Sequence, residues 1–86
     1  MEDKLLAGLL RRYARDYVFI DDLYKEAKKI GLAANRDKFA ELLTNAFKDP
    51  YMYDSISTEL PHTRTWVKAK TPDGKDIGYI KWIYGR

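Results

Sequence analysis

The stretch DDLYKEAKKIGLAANRDKFAELLTNAFKD, residues 21–49, decides how the rest of this chain must fold. Leu23, Ala27 and Ile30 recur at helical spacing and predict one buried stripe. Asp21 and Asp22 offer acceptors and negative charge to the orphan N–H groups of a helix start, so this helix is expected from about residue 22. Lys28 and Lys29 suit its C-terminal dipole, and Gly31 is the expected left-handed cap, with Leu32 folding back toward Ala27. After the short turn GLAAN, Asn35 is a second cap candidate, and Phe39, Leu42, Leu43, Ala46 and Phe47 give the cleanest helical pattern in the chain. Asp49 and Pro50 should stop it. The stretch therefore reads as two helices joined by a tight glycine-containing turn.

On the N-terminal side, Leu6, Leu9, Leu10, Tyr13 and Tyr17 predict an amphipathic helix over residues 3–16, with Lys4, Arg11 and Arg15 opposite the leucines. Gly8 falls inside that helix, where it costs up to about 1 kcal/mol relative to alanine. YVFI, residues 17–20, is a β-branched and aromatic run that predicts a brief strand.

Beyond Pro50, YMYDSISTELPHTR is expected to hold another strand around Tyr51 to Ile56. From Thr65 onward, TWVKAK and DIGYIKW flank TPDGK, in which Pro72 presets φ and Gly74 accepts a left-handed conformation, so a two-stranded hairpin is predicted. Its residues alternate, with Trp66, Lys68 and Lys70 opposite Thr65, Val67 and Ala69, and Ile80 and Trp82 opposite Tyr79 and Lys81. Both tryptophans are expected to pack this hairpin onto the helices; the competing reading makes them the aromatic base of a basic ridge.

The chain of 86 residues suits a single domain over 1–86, because a chain this short buries only about 60% of its unfolded surface. It has no cysteine, hence neither disulfide nor thiolate metal site. LLAGLL is too short to span a membrane and wrongly flanked for a secretion signal, which predicts a soluble, cytoplasmic protein with no membrane partner. Charged residues make up 34% of the chain and glutamine is absent, a bias shared with hyperthermophile proteins. Residues 1–61 carry ten basic and eleven acidic residues, a net of −1, whereas residues 62–86 carry six and two, a net of +4. Such a localised positive field favours polyanionic partners, and its alternative role is to protect an exposed sheet edge.

Helix, short strand, helix, tight turn, helix and hairpin is an order that resembles the winged-helix family of helix-turn-helix domains. The resemblance covers most of the chain, with DDLYKEAKKIGL as the second helix, NRDKFAELLTNAFKD as the third and TWVKAKTPDGKDIGYIKW as the wing. LYKEAKKIGL and GYIKW are also similar to the C-terminal winged helix of archaeal minichromosome maintenance helicases. The winged-helix resemblance implies an α+β winged helix-turn-helix, three helices followed by a C-terminal β-hairpin wing. It also implies a third helix on or in the major groove of DNA and a wing reaching for backbone or minor groove.

On the third helix a wheel places Asp37, Glu41, Thr44 and Lys48 outward, Lys38 and Asn45 at one edge, and Arg36 nearer the core. Candidate nucleic-acid contacts are therefore Arg36, Lys38, Thr44, Asn45 and Lys48, together with a ridge of Arg64, Lys68, Lys70, Lys75 and Lys81 on the wing. Asp37 and Glu41 sit where phosphates would repel them, so the wing is expected to do as much as the helix.

Catalytic chemistry is not expected. His62 is the single histidine, and Glu59 three residues before it does not complete a metal-ligand set. Asp21 and Asp22 are explained by capping, and TPDGKD has only one glycine and lies in a hairpin, so no phosphate loop, metal or other cofactor is implied. The sequence thus points to a non-enzymatic DNA-binding regulator of transcription or replication, from a thermophilic archaeon or one of its viruses. The competing expectation is a protein-interaction module of a replication or transcription assembly, which Asp37 and Glu41 favour. The tyrosines of YMY could support a homodimer under either reading.

Overall fold

The turn between the two central helices forms as Gly31 and Asn35 dictate. The computed structural model describes residues 2–84. In it α1 (Glu2–Tyr13) leads through β1 (Val18–Phe19) into α2 (Ile20–Lys29) and α3 (Arg36–Ala46). Then come α4 (Pro50–Asp54), β2 (Ile56–Glu59) and β3 (Tyr79–Trp82). The fold is α+β, with four helices and a three-stranded antiparallel sheet in the order β1-β3-β2. Gly31 has φ of 76°. Leu32 N–H donates to Ala27 C=O at 2.9 Å and Gly31 N–H to Lys28 C=O at 3.1 Å, the Schellman pair that closes α2. Asn35 caps α3 by accepting the Lys38 N–H at 2.8 Å.

Four local expectations need correction. α1 ends at Tyr13, three residues early, because the Ala14 carbonyl accepts the Trp82 N–H at 2.7 Å and so leaves the helix for the sheet. Tyr13 and Tyr17 then fall outside the apolar stripe and are exposed. α2 starts at Ile20, with Phe19 at the cap position and no side-chain cap. Asp21 lies in its first turn and accepts instead from the backbone N–H groups of Trp66 and Val67, at 3.0 Å each. Ile30, placed in the buried stripe, is 55% exposed, because the helix has already turned at this residue and Leu32 packs in its stead.

The strand expected around Tyr51 is a helix as far as Asp54. Asp49 caps it by accepting the Tyr51 N–H at 3.1 Å and Pro50 occupies its first turn, so Asp-Pro both ends α3 and starts α4. Ser55 closes the turn by donating its hydroxyl to the Tyr51 carbonyl at 2.8 Å, and β2 begins one residue later.

The largest departure concerns the hairpin. Residues 65–70 belong to no strand and meet the returning chain at one bridge, Lys70 to Asp76, and one bond from Ile77 N–H to Ala69 C=O at 3.2 Å. The tip turns as expected, Gly74 at φ of 87° with its N–H on the Thr71 carbonyl at 2.9 Å. The exchange of partners happens at Gly78, whose N–H goes to Glu59 and whose C=O accepts from Ile20, both at 2.8 Å. From there β3 runs as the central strand between β1 and β2. A Cβ at residue 78 would lie 2.2 Å from Pro61 Cα, so only glycine lets the two chain segments cross.

The core lies between the helices and the sheet. Leu6, Leu10, Ile20, Leu23, Phe39, Leu43 and Phe47 meet Ile56, Val67, Ile77 and Ile80, all buried. The predicted alternation survives without the ladder: Thr65, Val67, Ala69 and Thr71 are buried, and Arg64, Trp66, Lys68 and Lys70 are exposed.

Candidate nucleic-acid interface

Residues 64–70, which bend at Trp66 and Val67, are held by helices rather than by a partner strand. Asp21 grips the backbone N–H groups of Trp66 and Val67, and Thr44 Oγ1 accepts the Lys70 N–H at 3.3 Å. At the same end as Trp66, Arg36 from the first turn of α3 reaches the indole. The contacts of Trp66 with Arg36 and of Lys70 with Thr44 place this segment alongside α3, and every second side chain is exposed.

Trp66 is 55% exposed, and two guanidinium groups lie over its ring, Arg64 at 4.9 Å and Arg36 at 5.4 Å from the centroid. A stacked guanidinium keeps its in-plane N–H donors free, which suits phosphate oxygens. Neither arginine has a carboxylate partner among the described residues; Lys68, next along the ridge, makes no salt bridge there, but its charge acts on the Asp76 carboxylate. Beside them, Tyr24, Lys28, Asn35 and Asp37 line an open cleft of about 570 Å³ with Arg36 and Trp66.

The remaining cations divide. Lys70 is hydrogen-bonded to Asp76, and Lys75 lies 3.8 Å from Asp73, so the tip of the excursion is locally neutralised. The Thr71 hydroxyl, with Lys75 nearby, holds the Asp73 carboxyl below its usual range, and Lys70 does the same for Asp76. Lys81 lies on the sheet face away from the core, 5.6 Å from the Tyr17 ring centroid and opposite Ser57, and is no part of the ridge. Arg86, counted in the positive terminal field, lies outside the described residues.

Along α3, Lys38 and Asn45 are exposed, as are Asp37 and Glu41; Lys48, expected on the same helix, is exposed in the turn after it, because α3 ends at Ala46. Thr44 is half-buried, its oxygen engaged by the Lys70 backbone. Arg36, expected nearer the core, is exposed because the buried side of α3 begins at Phe39. The structure thus brings Arg36 and Arg64 together over Trp66, with Lys68 exposed two residues further along the segment. Sequence reasoning assigned both tryptophans to packing, whereas only Trp82 is buried. The signal that separates them was present: Trp66 shares its parity with Arg64, Lys68 and Lys70.

Elsewhere, His62 is exposed, with its ring 5.2 Å from that of Tyr79. Among the described residues no helix is long and apolar enough to cross a membrane, and no group of three or more histidine, cysteine, aspartate or glutamate side chains is placed to hold a metal ion. No family model, curated protein or solved structure matches the chain.

Proposed function

We propose that the chain is a winged-helix nucleic-acid-binding domain that holds duplex DNA mainly through the ridge at residues 64–70, with α3 alongside. The observation that carries this reading is the half-exposed Trp66 ring with the unpaired guanidinium groups of Arg36 and Arg64 over it and Lys68 beyond. Support comes also from topology. A strand between the first two helices, a helix pair joined at Gly31, and two later strands in the order β1-β3-β2 support the reading, with residues 60–78 as the proposed wing. Phosphate neutralisation by these cations supplies affinity, while Asp37 and Glu41 keep α3 from dominating base contact. A cytoplasmic regulator of transcription or replication is the biological role that fits this chemistry.

Fluorescence anisotropy with a labelled duplex of about 20 base pairs, at about 50 and 200 mM salt, tests the reading. Micromolar binding at low salt, falling steeply at the higher one, is expected. Replacing Arg36, Arg64 and Lys68 together by alanine should weaken it at least about tenfold and flatten the salt slope. No binding at the lower salt would overturn the reading. It would favour a protein-interaction module instead, for which the exposed and unpaired Asp37 and Glu41 of α3 are the specific observation.

A further inference from the structure

β2 is an edge strand, and its ladder shows which of its backbone groups are spent. In an antiparallel pair, hydrogen-bonded and non-hydrogen-bonded residue pairs alternate. Ile83 N–H donates to Ser55 C=O at 2.9 Å, which makes the pair 55 and 83 hydrogen-bonded, and with it Ser57 and Lys81. The other side of β3 agrees: Ile20 N–H donates to Gly78 C=O, so Ile80 turns its backbone groups toward Val18 and not toward Thr58. The N–H and C=O of Ile56 and Thr58 therefore point outward from the sheet.

They do not point into open solvent. The tip of the excursion, at Thr71, Asp73, Lys75 and Asp76, stands off from β2 and leaves a groove of about 490 Å³ that runs from Tyr53 to Leu60. The groove is acidic. Asp54, Glu59, Asp73 and Asp76 line it against the single cation Lys75. Asp73 and Asp76 are already paired within the tip, whereas Asp54 and Glu59 carry no ion pair among the described residues. Side chains along β2 alternate as well. Ile56, Thr58 and Leu60 share one face, with Leu60 58% exposed, and Ser57 and Glu59 share the other.

The geometry points to a peptide-binding site: an extended segment of a partner protein, alternating apolar and basic residues, adds as a fourth strand on the free edge of β2. Backbone bonds to Ile56 and Thr58 provide register, the apolar residues lie beside the exposed Leu60, and the basic ones lie beside Glu59. The same charge makes the groove a poor surface for DNA, so this inference does not depend on the nucleic-acid reading. It gives the domain a second, separate face.

The probe is a fluorescein-labelled octapeptide alternating valine and lysine, titrated into the full chain and followed by anisotropy and by amide shifts in a ¹⁵N spectrum. Binding should shift the Ile56 and Thr58 amides. A version N-methylated at alternate residues, with its charge unchanged, should bind at least about tenfold more weakly because the ladder cannot form. Glu59→Lys should weaken the parent peptide several-fold, and so should Thr58→Pro, which removes an outward N–H that an edge strand can spare. Equal binding of the two peptides would reduce the effect to charge alone and overturn strand addition; this comparison uses the unaltered protein, so it stands even if Thr58→Pro fails to fold. Absence of peptide binding, or a concentration-dependent dimer that Thr58→Pro abolishes, would overturn the basic peptide as occupant, the latter in favour of a second copy of the chain.

Discussion

Trp66 and Trp82 have similar surroundings on paper and opposite roles. Each lies on an alternating stretch of the C-terminal third, and each has an arginine over its ring, Arg11 at 5.4 Å in the case of Trp82. Trp82 is 8% exposed and sits on the central strand, with its backbone N–H on the Ala14 carbonyl. Trp66 lies on a segment with no ladder and is held by Asp21 from another element. Long-range pairing, and not residue type or local alternation, decides which indole closes the core and which stays exposed.

The sharpest way to break this comparison is to truncate each ring. Trp82→Ala should destabilise the fold by about 3–4 kcal/mol in urea denaturation, as burial of a large aromatic implies. Trp66→Ala should cost less than about 1 kcal/mol and weaken duplex binding instead. Comparable losses of stability would deny the distinction. Next in size is Gly78→Ala. The added methyl meets the backbone of Pro61 and not a flexible side chain, so a loss of about 3 kcal/mol is expected, read from the shift in denaturation midpoint. A neutral result would mean that the crossing of the two segments is loose.

Asp21→Ala tests what holds the ridge. It removes an acceptor shared by two backbone N–H groups and should cost about 1–2 kcal/mol. Faster hydrogen exchange at Trp66 and Val67, with α2 still helical, would show that Asp21 fastens the segment. Exchange that increases throughout α2 would make it a helix-start residue after all.

That outcome bears on what the sequence could disclose. Gly31 and Asn35 were legible because each acts on atoms within a few residues of itself, the Lys28 and Ala27 carbonyls in one case and the Lys38 N–H in the other. Asp49 and Pro50 were read only as a stop, although the same two residues also start a helix, so the tyrosines after them were assigned by strand propensity. The role of Asp21 was not legible, because its partners lie 45 and 46 residues away. The predicted hairpin failed for the same reason. Its turn is local and forms, but β3 finds stronger partners in β1 and β2, chosen by the core beneath Ile80 and Trp82. At the candidate interface, Arg64 and Lys68 were identified from charge alone. The convergence of Arg64 with Arg36 on Trp66 depends on residues 64–70 lying along α3, which no spacing within the segment reveals.

The smallest expected effect is that of pH on the tip. Asp73 and Asp76 titrate below their usual range in the folded state, so each stabilises the turn above the unfolded value, and that contribution disappears as pH falls through the lower folded value. Below about pH 4, the protection of the Lys75 and Ile77 amides relative to their intrinsic exchange at that pH should fall while β3 remains protected. Simultaneous loss of both would tie the tip to the core more firmly than its exposed ion pairs allow.

The ridge itself is most directly tested by the emission of Trp66 alone. In a Trp82→Phe variant it is the sole tryptophan, and titration with a duplex of about 20 base pairs at about 50 mM salt should quench or shift its emission with the same midpoint as the anisotropy of the labelled DNA. A duplex that binds with no change in Trp66 emission would place the DNA elsewhere on the molecule and contradict the ridge as the interface.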